Sequence, residues 1–436
     1  MTERRRVHLL VPDADRSRLL VDRDGRPPVV SLEFGAGTTF TALHEELAAM
    51  GLRTHIVDLL IDQTDPPQDD PAPSHEVVCE LAPTADLPGG WRPVPTAEAR
   101  PHVGEPLRPY VDARFAEWCD GAPTPPERSP WGFPGWAPRF EAWIDAAARD
   151  AGLGEVDSVV PHRLWGISAV YRVATATDRY WAKAVYEGFR HEPAITVFLG
   201  RHFRGQVPEL VAVEPEERWM LMRHLEGQLV SSRFERTADA VRALVGIQAA
   251  SLPLLAELEG VGVVDRRIDH LASDLAEVLA HPVTRELLAV DERDAAASCA
   301  AVAGAVPVVR AIGLPETTLV HGDFHGSNVM LHEDDVAIFD WSDAAVSHPL
   351  VDVGAWQAWF HDEPAEMDEL WRTFAEAWGT VVDPERIVGE RRALDVVVGA
   401  YHVVTYSRIA ARMEPVRRNE ALSGLEGFYR QLRDAR

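Results

Sequence analysis

The stretch LVHGDFHGSNVMLHEDDVAIFDWSDA, Leu319 to Ala344, constrains the fold more than any other part of the chain. Its apolar start reads as a strand end running into His321-Gly322-Asp323, and Asn328 follows five residues after the aspartate. HEDD reads as a hairpin turn, and the apolar run VAIF reads as a second strand that delivers Asp340, twelve residues after Asn328. A loop and an adjacent strand end so spaced bring two carboxylates and an amide oxygen together. Oxygen-only donors of this kind suit Mg2+, which takes one or two protein ligands and keeps the rest of its shell for water and phosphate. A carboxylate beside them, Asp323, can accept the proton of an attacking hydroxyl. Metal ligands, a base and a cation on the phosphates are the parts that phosphoryl transfer needs.

The cation has one outstanding candidate. Of the 43 basic residues only Lys183, in DRYWAKAVYEG, is a lysine. An ammonium is a compact point charge, whereas a guanidinium is a planar fork. Glu192 follows nine residues later at a predicted helix start, where an acidic residue also suits the helix dipole. A lysine kept in isolation is equally the mark of a Schiff-base amine, so a lyase or aldolase stays open from these residues alone.

At 436 residues the chain is long enough for two or three domains, and 46% hydrophobic with 26% charged residues describes a globular protein. A formal net charge of −26 argues against nucleic acid or an anionic membrane as partner and permits a cationic substrate. Cys79, Cys119 and Cys299 form neither a CxxC pair nor a zinc spacing, so a reducing cytoplasm is expected. The apolar run near the N-terminus stops after a few residues, and neither a signal peptide nor a membrane span is expected.

Four segments are expected. Residues 1–122 mix five strand patterns (RVHLLV, SRLLV, PVVSLEF, THIVDLLI, HEVVCEL) with one helix, TFTALHEELAAMG, closing at Gly51. Residues 123–157 form a Pro- and Trp-rich joint, with Trp131 and Trp136 as staples, and a helix over RFEAWIDAAARDAG. Residues 158–226 read as a strand-rich small lobe, and 227–436 as a helix-rich large lobe with a cleft at Arg223–Gly227. The fold class is α+β: two lobes preceded by a small α+β domain.

HGDFHGSN and IFDW resemble the hallmark H-G-D-x-H-x-x-N, followed by a strand ending in D-W, of the aminoglycoside phosphotransferase and choline kinase family. This is the small-molecule branch of the protein-kinase-like fold, and the resemblance covers roughly residues 158 to 415. It implies Asp323 as catalytic base, His321 bracing the loop, and His325 supporting the loop or the metal. It further implies Asn328 and Asp340 as metal ligands and Asp352, in HPLVDVG, as a buttress. LWGISAVYRV takes the place of the phosphate-covering hairpin, with Gly166, Ser168 and Ala169 at its turn. Lys183 then holds the α/β-phosphates with Glu192 as ion-pair partner. Met222 to His224 form the hinge beside the adenine. ATP and two Mg2+ ions are the implied cofactors. No H-R-D, D-F-G or A-P-E is present, and only about a dozen residues separate Asp340 from Asp352, too few for a regulated activation segment.

The acceptor is expected against the helical lobe. Candidates are Asp343, Trp356, Trp359 and His361, with Phe360, the acids Asp362, Glu363, Glu366, Asp368 and Glu369, and Tyr401, His402 and Tyr406 of the last long helix. It is a small hydroxyl compound, expected to bear an amine as an aminoglycoside-like natural product does, with antibiotic resistance as the corresponding role. The alternatives are a metabolic alcohol (an amino sugar, a nucleoside, a choline-like compound) or nucleotide binding without turnover. Residues 5–118 weakly resemble a Nudix-type domain. Alanines at Ala48–Ala49, where metal-binding glutamates belong, argue against diphosphate hydrolysis and for a packing, dimerisation or lid module. A monomer or a homodimer through this domain is expected.

Overall fold

In the computed structural model, residues 3–13, 15–34, 39–49, 54–61, 75–83, 91–105, 107–356, 364–379 and 382–436 are described. They divide into two units, Met1–Tyr186 with Met413–Arg418, and Glu187–Arg412 with Asn419–Arg436. The division falls between Tyr186 and Glu187, inside the segment read from sequence as one small lobe. The N-terminal segment, the Pro/Trp joint and the first strands after it share one unit.

The first unit begins with β1 (Glu3–Leu10), β2 (Arg18–Val21), β3 (Val29–Phe34), α1 (Thr39–Ala49), β4 (Thr54–Ile61) and β5 (His75–Pro83). All five strand patterns are strands. Four of them form a mixed sheet in the order β3-β1-β5-β4, with β1 parallel to β5 and antiparallel to β3. Val7, His8, Leu9 and Leu10 are all buried, so β1 is covered on both faces and reads as a continuous apolar run rather than an alternating one. β2 pairs instead with β6 (Arg92–Pro95).

Next comes α2 (Arg108–Asp120), which ends at Gly121 in the left-handed region (φ 68). Its buried face is Tyr110, Val111, Arg114 and Phe115. Arg114 has no exposed surface, and its guanidinium meets Asp58 Oδ2 at 2.7 Å, Glu80 Oε2 at 3.3 Å and Glu414 Oε1 at 2.7 Å. Arg128 meets the same Glu414 oxygen at 2.8 Å, and Arg417 pairs with Asp58. Burial alone would raise the Asp58 carboxyl, but Arg417 and Arg114 bring it down to about 2. The joint continues into α3 (Trp136–Asp150), three residues ahead of its predicted start. Antiparallel β7 (Val156–Leu164), β8 (Ser168–Thr175) and β9 (Arg179–Val185) complete the unit.

The second unit opens with α4 (Glu192–His202), carrying Pro193 in its first turn, and the hairpin β10 (Leu210–Glu214) to β11 (Trp219–Arg223). Then follow β12 (Gln228–Leu229), α5 (Thr237–Ser251), α6 (Leu255–Gly260), β13 (Val264–Asp265), α7 (Leu271–Ala280), α8 (Pro282–Leu288) and α9 (Glu292–Ala311). The chain continues with β14 (Thr318–Val320), β15 (Val329–His332), β16 (Asp335–Ile338) and β17 (Ala345–Ser347). The described helices after them are α10 (Pro364–Ala377), α11 (Pro384–Gly389), α12 (Arg391–Ala411) and α13 (Leu422–Ala435). Two small sheets, β12-β15-β16 and β13-β17-β14, contain the strands that flank the HGD loop. Phe234–Gly260 and Glu292–Ala311 are long and apolar enough to cross a membrane by length and composition. Val241, Leu244 and Val245 of the first, and Val302, Ala305 and Val309 of the second, belong to the core.

Candidate functional site

β14 carries Thr318, Leu319 and Val320 into the core with no exposed surface and releases the chain at His321. The loop that follows is anchored from below by one carboxylate. Asp352 Oδ2 accepts from the His321 N–H at 3.0 Å, and its Oδ1 accepts from the Gly322 N–H at 2.8 Å. Gln248 of α5 donates to Asp352 Oδ2 at 2.8 Å. Burial pushes Asp352 up to about 7, against the pull of these three donors. Gly322 has φ 83, and a Cβ there would meet the Asp343 carbonyl oxygen at 2.2 Å, so both backbone angle and space demand glycine.

His321 is fully buried. Its Nδ1 accepts from the Asp323 N–H at 3.3 Å, which leaves Nε2–H to donate to the Phe339 carbonyl at 2.9 Å. It therefore ties the loop to the end of β16. Burial holds it below the usual histidine range, in its neutral form.

Asp323 is partly exposed and stands 3.4 Å from His325 Nε2. His325 Nδ1 accepts from the Ser327 N–H at 3.2 Å, so the other nitrogen carries the hydrogen that faces Asp323. Burial would raise the Asp323 carboxyl, but the hydrogen bond from His325 keeps it below its ordinary value. It is ionised at neutral pH. The Asn328 amide nitrogen donates to the Asp323 carbonyl at 3.0 Å, so its amide oxygen can only accept a hydrogen bond or ligate a cation.

Asp340 follows β16 at φ 65, ψ 60, a left-handed conformation that few non-glycine residues adopt. The Ser342 hydroxyl lies 2.5 Å from Asp340 Oδ1 and 3.0 Å from Glu192 Oε2. Among the described residues no group of three His, Cys, Asp or Glu side chains is arranged to hold a metal. Asn328 and Asp340 supply one amide and one carboxylate oxygen, and a hard cation that keeps most of its water needs no more than this.

On the nucleotide side, Gly166 lies in the β7–β8 turn, and Ser168 and Ala169 open β8. Lys183 stands on β9 opposite Val170, with 5% of its surface exposed. Glu192 heads α4, 3% exposed. Lys183 belongs to the first unit and Glu192 to the second. Met222 is half-buried near the end of β11, and His224 follows it with Nε2 3.8 Å from Glu226.

Asp343 is half-buried. Burial first, then the charges of Asp323, Asp340 and Glu192, push it up to about 8, with Arg266 opposing. The expectation that Trp356 faces an acceptor is corrected. Its side chain has no exposed surface and packs edge-to-face on Phe324 at 5.8 Å, supporting the loop from beneath. Tyr401 and His402 are likewise buried, and Tyr406 is half-buried. Glu366 and Glu369 are exposed, while Asp368 pairs with Arg391 at 3.1 Å. Trp359, Phe360, His361, Asp362, Glu363 and Gly51 lie outside the described residues.

Three supporting residues escaped the sequence reading. Ser342 had only its place in DWS as a signal, and Gln248 was a polar residue on a mostly apolar helix face. Arg266 gave no signal. Its guanidinium lies 3.8 Å from the Tyr401 ring centroid and donates to the Tyr401 carbonyl at 2.9 Å.

Comparison with known proteins places this geometry. The sequence model of the phosphotransferase enzyme family, APH, matches residues 165–387, just over half of the chain. No curated protein sequence matches. Among solved structures, a spectinomycin phosphotransferase crystallised with ADP and spectinomycin is 12% identical, with 68% of this chain and 98% of that one covered at a TM-score of 0.46. Choline kinase LicA from Streptococcus pneumoniae is 14% identical, with 66% and 99% covered and a TM-score of 0.45. An ethanolamine kinase from Plasmodium vivax is 13% identical, with 66% and 87% covered and a TM-score of 0.49. With its HGD loop, Asn328 and Asp340 all inside the matched residues, the chain belongs to the APH phosphotransferase family and is a small-molecule phosphotransferase of protein-kinase-like fold.

Proposed function

We propose that the protein transfers the γ-phosphoryl group of ATP to a hydroxyl of a small, amine-bearing acceptor. The observation that carries this is the loop held by Asp352, which sets an ionised Asp323 beside Asn328 and against the end of the strand bearing Asp340. Asp323 accepts the proton of the attacking hydroxyl and orients its lone pair toward phosphorus. Its lowered pKa suits a group that aims the alcohol and takes its proton late rather than removing it beforehand. Asn328 and Asp340 would hold Mg2+, which when bound neutralises charge on the phosphates. The resemblance assigns Lys183 to the α/β-phosphates and Met222 to His224 to the adenine. ADP and AMP-PNP complexes of structural neighbours support the choice of nucleotide.

The amine is favoured by Asp343. Its carboxyl is raised by burial and by three neighbouring carboxylates, and a cationic group placed beside it would relieve that repulsion. The net charge of −26 steers cations toward the molecule.

The test is ADP release over a panel of amino-alcohols, amino sugars and uncharged sugars, with wild type beside Asp323→Asn. Turnover on amine-bearing members is expected, falling by about a thousandfold in the variant while the thermal midpoint holds. Unchanged turnover in Asp323→Asn would sink the base assignment. Turnover confined to uncharged sugars would remove the amine.

A further inference from the structure

We propose that Ser129 and Trp131, upstream of the family match, position the β7–β8 turn for the nucleotide. The inference rests on that turn being the phosphate-side loop. Ser129 and Trp131 flank Pro130 in the Pro/Trp joint, where a short 3-10 turn is closed by Gly132 N–H donating to the Ser129 carbonyl at 2.9 Å. That turn sends two donors toward adjacent peptides. The Ser129 hydroxyl donates to the Gly166 carbonyl at 2.6 Å, and the Trp131 indole N–H donates to the Trp165 carbonyl at 2.8 Å. The next carbonyl, of Ile167, accepts from the Tyr186 N–H at 3.0 Å. All three carbonyls of the turn are thus engaged by protein donors.

A loop that cradles phosphate does so with its N–H groups, and a carbonyl turned toward the anion repels it. Gly166 has no Cβ and so has the freedom to flip its peptides. Bonds to Trp165 O and Gly166 O hold those peptides in one orientation before any ligand arrives, which lowers the entropy lost on binding. The anchors are rigid. Ser129 and Trp131 are 9% and 4% exposed. The Trp131 ring meets Trp136 edge-on at 6.0 Å, Trp136 stacks on Phe140 at 4.8 Å, and Phe140 meets Tyr171 of β8 at 5.5 Å. From the other side, the Trp165 indole donates to Ser168 Oγ at 2.9 Å, with Arg163 3.5 Å over its ring. Ser129 and Trp131 are positioning residues, acting on nucleotide through the backbone of the turn.

The experiment is calorimetric titration of the full chain with Mg2+ and AMP-PNP, beside thermal midpoints, for wild type, Ser129→Ala, Trp131→Phe and the conservative Ser129→Thr. Ser129→Ala and Trp131→Phe each remove one hydrogen bond, whereas Ser129→Thr keeps the hydroxyl. Ser129→Ala and Trp131→Phe are expected to weaken nucleotide roughly three- to tenfold, with thermal midpoints near wild type and Ser129→Thr restoring affinity. Wild-type affinity in both variants, or loss that merely tracks a falling midpoint, overturns the positioning role. Absence of binding by the wild type overturns the nucleotide reading, and the proposal with it.

Discussion

One hydroxyl, that of Ser342, links the two acidic groups that matter most around Asp340. It lies within hydrogen-bond distance of Asp340 and of Glu192, so the strand-end aspartate and the first residue of α4 share a fixed point. Asp340 needs such support, because its left-handed backbone costs about 1 kcal/mol or more for a residue with a Cβ. The Trp341 indole donates to the Ile338 carbonyl at 3.0 Å and closes the same turn. Lys183 is the other residue for which we propose a chemical rather than a compositional reason. In a chain where every other Lys/Arg position is arginine, an ammonium buried on β9 is the one cation arginine has not replaced. Lys183→Arg keeps the charge but spreads it over a wider fork. It is expected to lower kcat/KM for ATP by about tenfold or more with the fold intact. Wild-type kinetics would return the lysine to chance.

Among the elements, the first five strands and the HGD loop were readable because apolar runs and turn residues announce them, whereas β6 and the start of β7 were not. α2 was not. Its inward face carries Arg114, and a helix that buries a guanidinium shows no apolar stripe. The compensating carboxylates come from β4, β5 and the 413–418 segment, so nothing near Arg114 in sequence reveals why it is tolerated. Arg114→Met leaves Asp58, Glu80 and Glu414 short of a partner in a buried site, and a loss of about 3–5 kcal/mol is expected. Urea unfolding of the variant against wild type checks it, and a loss below about 1 kcal/mol would show the network to be dispensable. β13 and β17 were also missed, since two- and three-residue strands paired in parallel carry no periodicity.

At the scale of the molecule, histidines buried in the second unit make stability depend on pH. His191, His348 and His402 are each pushed to about 4, mainly by burial. Their folded pKa lies below the unfolded value near 6.5. The unfolded chain therefore takes up protons that the native one refuses, and stability is lost as pH falls from 6.5 toward 4. Asp352 and Asp343, raised by burial, act in the opposite sense. A single-variant difference separates the two. His348→Gln is expected to flatten the slope of unfolding free energy between pH 6.5 and 4 by about 1.4 kcal/mol per pH unit relative to wild type. Parallel slopes would show that His348 is not held neutral.

The sequence by itself determined the arrangement of the HGD stretch. The spacing of His321, Asp323, Asn328 and Asp340 is short, so local strand and loop geometry suffices to bring them together. It also determined the isolation of Lys183 and the mixed α+β character. Only the tertiary structure decided what else supports these groups: Gln248 beneath the loop, Ser342 between two carboxylates, Trp356 in the core rather than at a surface, and Ser129 and Trp131 behind the β7–β8 turn. Each of these joins residues far apart in the chain or depends on which way a side chain is turned. Burial and hydrogen-bond partners arise from packing, and no local pattern of residue types encodes them.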